Sequence, residues 1–320
     1  MKAFVTGAAG FIGSNVVDRL LEQGHSVTGI DNLSSGHPKF LEGARTSPRF
    51  RFIKADLMSK KTLERIVPRE TNWVFHFAAN ADVRHGLKHP YRDLEQNTLA
   101  TFNLLEAMRK LRVRNIVFSS TGSIYGESTM FPTPEDAPFP IQTSLYGASK
   151  LAAEGLISAY VEGFQFKALI FRFVSILGER YSHGHVFDFM KLLKRNPKVL
   201  PVLGNGKQTK SYLYIQDCVD AIFRAIKSRW PKPIQIINLG THEHVTVNES
   251  IDVICEELGV APRRRYAGGD RGWIGDSPFI FLDCRKMLRT GWKPRVNIRD
   301  AVRRTVNYLQ SNPWLLSARN

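Results

Sequence analysis

A chain of 320 residues can bury a sizeable core and form two lobes, because single cores rarely grow much beyond about 250–300 residues. Its composition, 43% hydrophobic, is that of an ordinary globular protein, and no apolar run reaches the roughly 20 residues a bilayer span needs. The formal charge of +16 is scattered, with only short runs such as Arg263-Arg264-Arg265 and Arg303-Arg304 and no supporting motif, so no nucleic-acid partner is expected.

In chain order, Lys2–Thr6 reads as an apolar strand, which leaves no room for a signal peptide ahead of it. Phe11–Glu22 follows as an amphipathic helix, then Ser26–Ile30 as a strand. Arg51–Ala55, Trp73–Phe77, Asn115–Ser119 and Lys167–Phe173 are predicted strands of the same kind. Helices are predicted near Lys60–Val67, Leu94–Arg112 and Ser144–Gly163 between them. This alternation predicts an α/β fold of Rossmann type, a doubly wound parallel sheet joined by right-handed crossovers. From about Gly178 the rhythm loosens, with helices at Val186–Lys194, Gln216–Lys227 and Val247–Leu258 and strands at Ser211–Ile215 and Gln235–Asn238. The expected organisation is a dinucleotide-binding domain over residues 1–177 and a smaller α/β substrate lobe over 178–320, with some later segments returning to the first. Cys218, Cys255 and Cys284 form no C-x-x-C pair and read as reduced thiols of a cytoplasmic protein.

The first turn carries the first chemical signal. Gly7, Gly10 and Gly13 stand between a strand and a helix, where glycines let the backbone approach a pyrophosphate and the helix start favours negative charge. Asp31 closes the second strand eighteen residues after Gly13, near the interval at which a carboxylate reaches the adenosine ribose, and it would repel a 2′-phosphate. NAD is therefore the expected cofactor. Asp56 and Leu57 follow the third strand at the adenine edge, and Phe77, Ala78 and Ala79 follow the fourth, where a flat cofactor would pass.

The second signal is Tyr146 four residues before Lys150 at the start of a predicted helix, both on one face. A phenol is a poor base at neutral pH, and a neighbouring ammonium together with an oxidised nicotinamide is expected to favour the phenolate. Thr121, at the end of the fifth strand, can donate to the same substrate oxygen. His183/His185 and His242/His244 lack helical H-x-x-x-H spacing and a nearby cysteine pair, so no metal is expected.

With Thr6-Gly-Ala-Ala-Gly-Phe-Ile-Gly13, Asp31-Asn32-Leu33, Asp56-Leu57, Asn97, Ser119-Ser-Thr-Gly-Ser-Ile-Tyr-Gly126 and Tyr146-x-x-x-Lys150, the chain resembles the extended short-chain dehydrogenases/reductases, in their nucleotide-sugar epimerase branch. The likeness continues through Gly204–Asp217, Asp270–Asp276 and Gly291–Pro294. It implies bound NAD, a UDP-sugar substrate, and a homodimer pairing the helices around Leu94–Arg112 and Ser144–Gly163. It further implies cofactor contacts from Phe11, Ile12, Asn32, Asn97, Ser119 and Phe173 and substrate contacts from Ser123, Ser175, His185, Val186, Lys210, Tyr212, Arg271, Asp276 and Ile280.

Relatives that eliminate water carry an Asp-Glu pair where this chain has Gly122-Ser123, so C4 epimerisation through a 4-keto sugar is the expected reaction. Ser175 replaces the family's Asn and Lys210 its Arg, a point charge in place of a planar fork. Ile280 falls where the family has a bulky Tyr, which leaves room for an N-acetyl group and makes UDP-GlcNAc/UDP-GalNAc expected substrates beside UDP-glucose/UDP-galactose. A dehydratase, reductase or decarboxylase with the same trio stays open at this point, as does a non-catalytic dinucleotide sensor.

Overall fold

The inner strands of the first half are largely apolar on both sides, as a sheet covered on both faces requires. The computed structural model of the chain describes residues 1–80, 85–138, 141–273 and 279–318. Its main sheet has seven strands: β1 (Lys2–Thr6), β2 (Ser26–Asp31), β3 (Phe50–Lys54), β4 (Trp73–His76), β5 (Asn115–Thr121), β6 (Lys167–Phe173) and β7 (Ile234–Leu239). Their spatial order is β7-β6-β5-β4-β1-β2-β3, a parallel Rossmann-like sheet. Growth reverses between β1 and β4, which opens a crevice beyond their carboxyl ends.

Register fixes what each face buries. Phe4 pairs with Val74 and Val74 with Ile116, one residue out of phase with Val5, Phe75 and Val117. The first row packs with Leu63 of α2 (Lys60–Ile66), Leu104 and Met108 of α3 (Ala100–Leu111) and Ile157 of α4 (Leu145–Phe164). On the other face Phe75 stacks on Phe223 at 6.2 Å between ring centroids. The first helix, Phe11–Glu22, starts at Gly10 beyond β1. Ser144 caps α4, its Oγ accepting from Gly147 N at 3.0 Å, and Gln165 ends it in the left-handed region.

One predicted helix divides. The segment from Leu94 to Arg112 runs as a π turn over Leu94–Leu99 and only then as α3. Within that turn Asn97 sends its side chain to Ser149 of α4, and just after it the Thr101 hydroxyl donates back to the Asn97 carbonyl at 2.6 Å. Single π turns concentrate at functional sites.

The chain clusters into two units of interleaved segments. Residues 1–124, 144–172 and 222–237 form the first, and 125–143, 173–221 and 238–320 the second. Within the second, Ser175–Leu177 pairs in parallel with Tyr212–Tyr214, and Val199–Val202 with Arg263–Tyr266. Thr209–Lys210 lies between Val245–Thr246 and Phe279–Ile280 in a three-stranded sheet. The helix Val247–Leu258 begins with a capping box between Thr246 and Glu249, and Asp217 accepts from the backbone N–H of Arg295 and Val296 at 3.0 and 3.1 Å. The three cysteines are buried and unpaired, and among the described residues no helix is long and apolar enough to cross a membrane.

Candidate active site

The glycine turn is tight for reasons the backbone states. Gly7 has φ +67°, and a Cβ there would lie 2.7 Å from Ala78 N; a Cβ on Gly13 would lie 2.0 Å from Gly7 O. Gly10 N donates back to Gly7 O at 3.0 Å, and no side chain caps the start of the first helix, where Phe11 and Ile12 stand. The result is a cradle at a helix N-terminus, filled by any side chain the glycines would carry, which is what a pyrophosphate needs. Asp31 does more than was expected of it. Its Oδ2 accepts from Ala9 N at 3.0 Å and its Oδ1 from Leu33 N at 2.7 Å, so the carboxylate pins the turn. Burial raises its pKa, and these two bonds oppose the rise. Asn32 Nδ2 donates to Asp56 Oδ2 at 2.9 Å, while Leu57 is buried and Phe77, Ala78 and Ala79 are half-buried beyond β4. These residues fit an NAD adenosine and pyrophosphate.

Beyond β5, Thr121, Ser123 and Tyr146 come together. Thr121 shares a hydrogen bond with the Tyr146 phenol, donates to Ser123 Oγ at 3.2 Å and accepts from Ser123 N at 3.1 Å. One turn along α4, Lys150 is buried, its Nζ donating to Ser119 O at 2.8 Å with the Phe118 ring 4.7 Å away. The expected lowering of the phenol by Lys150 is corrected here. Burial, helped by Asp93, pushes Tyr146 up to about 12 against the Thr121 bond, and burial drives Lys150 down to about 7 against Glu154 and Asp93. For each group desolvation outweighs the neighbours that favour its charged form.

Asn97 ties this trio to the strand ends. Its Oδ1 accepts from Asn80 N at 2.8 Å, and its Nδ2 donates to Ser149 Oγ at 2.9 Å, which in turn donates to Tyr146 O at 2.9 Å. A second chain of bonds was not foreseen from sequence. Because Thr101 donates to Asn97 O, it accepts from His76 Nε2–H at 2.9 Å; His76 Nδ1 then accepts from the Thr6 hydroxyl at 2.7 Å, and Thr6 accepts from Ala78 N at 3.2 Å. Burial holds the His76 imidazole down at about 3, hence neutral. Equally unforeseen is the buried pair of Glu154 and Arg172, with Arg172 Nη2 2.8 Å from Glu154 Oε2.

The second unit carries the remaining candidates. His185 donates or accepts with Ser250 Oγ at 2.7 Å through Nε2 and stacks on Tyr212 at 4.6 Å. Burial and the Lys210 charge push its imidazole down to about 3. Val186 is fully buried in the core, whereas Ser175 is exposed. Lys210 is the register partner of Ile280, which is half-buried. Arg271 forms an ion pair with Glu127. Phe173 is buried at the end of β6, and Asp276 lies outside the described residues. His183 stacks on Tyr181, and among the described residues no group of three or more His, Cys, Asp or Glu is placed to hold a metal.

Residues 3–240 match the model of the NAD dependent epimerase/dehydratase family. The chain is 33% identical over 314 residues to a putative UDP-glucose 4-epimerase of Methanocaldococcus jannaschii, covering 96% of this chain and 98% of that one. It is 32% identical to the UDP-glucose 4-epimerase of Mycolicibacterium smegmatis, covering 97% and 99%. Among solved structures it is similar to a UDP-galactose 4-epimerase, with TM-score 0.88, 36% identity and coverage of 98% and 100%. It is also similar to the Thermus thermophilus UDP-glucose 4-epimerase complex with NAD, with TM-score 0.84, 32% identity and coverage of 97% and 99%. A UDP-N-acetylglucosamine 4-epimerase from Methanobrevibacter ruminantium, in complex with UDP-N-acetylmuramic acid, has TM-score 0.85, 27% identity and coverage of 97% and 98%.

Proposed function

The chain belongs to the NAD-dependent epimerase/dehydratase family, and from that membership and its site we propose that it catalyses reversible C4 epimerisation of a UDP-hexose. The observation that carries the reading is the shared hydrogen bond between Thr121 and the Tyr146 phenol, with Lys150 anchored on Ser119 O one turn away. Tyr146 removes the proton of the C4 hydroxyl and later returns it to the oxygen of the 4-keto sugar, while Thr121 and Ser123 orient that oxygen. NAD, when bound, would supply the reversible hydride acceptor and a positive charge that favours the phenolate, which the chain's own groups hold protonated. Gly7, Gly10, Phe11, Ile12 and Gly13 would hold its pyrophosphate, Asp31 and Asn32 the ribose, and Asp56, Leu57, Phe77, Ala78 and Ala79 the flanks, with Asn97, Ser119 and Phe173 as further proposed cofactor contacts.

Gly122 and Ser123 bring no carboxylate to the turn after β5, and Ser123 accepts from Thr121 there. Dehydration needs an acid and a base at the reacting sugar, so hydride return is the favoured outcome. Lys210, Tyr212, His185 and Arg271 are the proposed nucleotide contacts. Ile280, beside Lys210 in register, leaves room for an N-acetyl group, so UDP-GlcNAc and UDP-GalNAc are proposed substrates with UDP-glucose and UDP-galactose beside them. We place the protein in the cytoplasm as a homodimer, in keeping with unpaired cysteines and with exposed Leu94 and Leu145 on the helices that would pair. Incubation of purified protein with UDP-GlcNAc or UDP-glucose and no added cofactor, followed by NMR, is expected to give only the C4 epimer. Loss of water, release of CO2 or a stoichiometric need for NADH would overturn the reading.

A further inference from the structure

A buried ion pair is seldom there for stability alone. Removing two charges from water costs several kcal/mol per ion, and apolar residues of similar volume often serve as well or better. Yet Arg172 on β6 and Glu154 on α4 are both buried and engaged at several points. Arg172 Nε lies 3.1 and 3.3 Å from the two Glu154 oxygens, Nη2 lies 2.8 Å from Oε2, and the Ser120 hydroxyl donates to Oε1.

The position of this pair gives its use. Glu154 follows Lys150 by four residues, so both project from one face of α4, one turn apart. Lys150 donates to the carbonyl of Ser119, and the next strand residue, Ser120, donates to Glu154. Two successive residues of β5 are thus held by two successive turns of α4. This locks the height of the helix against the strand, and with it the height of Tyr146 against Thr121.

Resting on the proposed epimerase chemistry, we propose that Glu154, steadied by Arg172, is a positioning residue that keeps Lys150 a charged ammonium fixed on the Ser119 carbonyl. The charged and titratable groups that act on Lys150 are Glu154 on α4, Asp93 from the helix Pro90–Asp93, His76 on β4 and, through Glu154, Arg172 on β6, with Tyr146 one turn earlier on α4. His76 is neutral, so the carboxylates of Glu154 and Asp93 are what oppose the loss of the Lys150 proton on burial, Glu154 more strongly. Glu154 is also the one that grips β5.

Glu154→Gln alone strands a buried guanidinium and is expected to lower Tm. The Glu154→Gln, Arg172→Met double variant removes both charges, leaves neither unpaired and is the protein to measure. With lysine labelled at 13Cε, the Lys150 signal, identified by its absence in Lys150→Met, is titrated in wild type and double variant. The midpoint is expected to fall by about one pH unit or more, about a tenfold change in the ammonium-to-amine ratio at a given pH. The alkaline limb of the turnover profile should move with it while bound NAD is unchanged. An unchanged titration midpoint in a folded double variant overturns the proposal. A wild-type protein inert towards UDP-sugars would overturn the epimerase reading while leaving the titration to stand.

Discussion

Gly13→Ala is expected to remove cofactor binding through the backbone alone. The added Cβ would lie 2.0 Å from Gly7 O, 2.8 Å from Gly7 C and 3.2 Å from Ala8 Cα, and real Cβ atoms essentially never approach closer than 3.0 Å. No rotamer can relieve the clash, because all three neighbours are backbone atoms. The first helix must draw back by roughly 1 Å, which strains the Gly10 N–Gly7 O bond and the bond from Ala9 N to Asp31. Overpacking of this kind costs about 1–3 kcal/mol, and rigid neighbours put this case near the upper end. At about 2.1 cal/mol/K of unfolding entropy per residue, 1 kcal/mol is worth about 1.5 °C in a chain of 320 residues, so Tm should fall by roughly 3–5 °C. A displaced helix start also costs more than the 1.4 kcal/mol that is worth about tenfold in affinity, so NAD affinity should fall by more than about tenfold and the NAD retained on purification should fall with it. The control is Gly155→Ala on α4, where an added Cβ meets nothing within 4 Å and helix propensity predicts a gain of about 0.5–1 kcal/mol. Absorbance and mass spectrometry give the cofactor content, and scanning fluorimetry gives Tm. A Gly13→Ala protein with wild-type Tm and full NAD would refute the reasoning.

Thr121→Val should lower turnover by about 10²-fold, the usual loss for one donor to a reacting oxygen, while NAD content stays unchanged; turnover within about threefold would remove Thr121 from the chemistry. Ile280→Tyr should cut kcat/KM for UDP-GlcNAc by about 10–200-fold and leave UDP-glucose nearly unaffected; equal losses on both substrates would contradict the size argument. The folded pKa of His76 lies far below its free value, so as pH falls below about 6.5 the unfolded chain takes up a proton that the folded chain refuses. Stability should therefore drop by up to about 1.4 kcal/mol per pH unit from this group between about 6 and 4, read as urea midpoints. His76→Gln should flatten that slope, and an identical slope in both proteins would argue against a neutral buried imidazole.

The central sheet was legible because strand segments such as Ala3–Val5 and Ile116–Phe118 are apolar throughout, and because glycines had to stand where β1 meets the first helix. The trio was legible as an order of residues. Its electrostatics were not, since the desolvation that lifts Tyr146 and depresses Lys150 depends on what covers them, which spacing cannot report. The π turn at Leu94–Leu99 was hidden for a similar reason: Asn97 and Thr101 look like ordinary helix residues until their distant partners are known. Nothing in the sequence around Glu154, four residues after Lys150 on the same helix, marks it as buried. A signal did exist in Arg172, a lone charge within the apolar run Leu169–Val174, because a charge in a buried strand needs a counter-charge close by.

The most direct test replaces one oxygen. Tyr146→Phe, purified with its NAD content and Tm verified against wild type, should epimerise UDP-GlcNAc or UDP-glucose at least about 10²-fold more slowly, since the general base is gone and the fold and cradle are intact. A Tyr146→Phe protein that retains NAD and turns over at the wild-type rate would contradict the account.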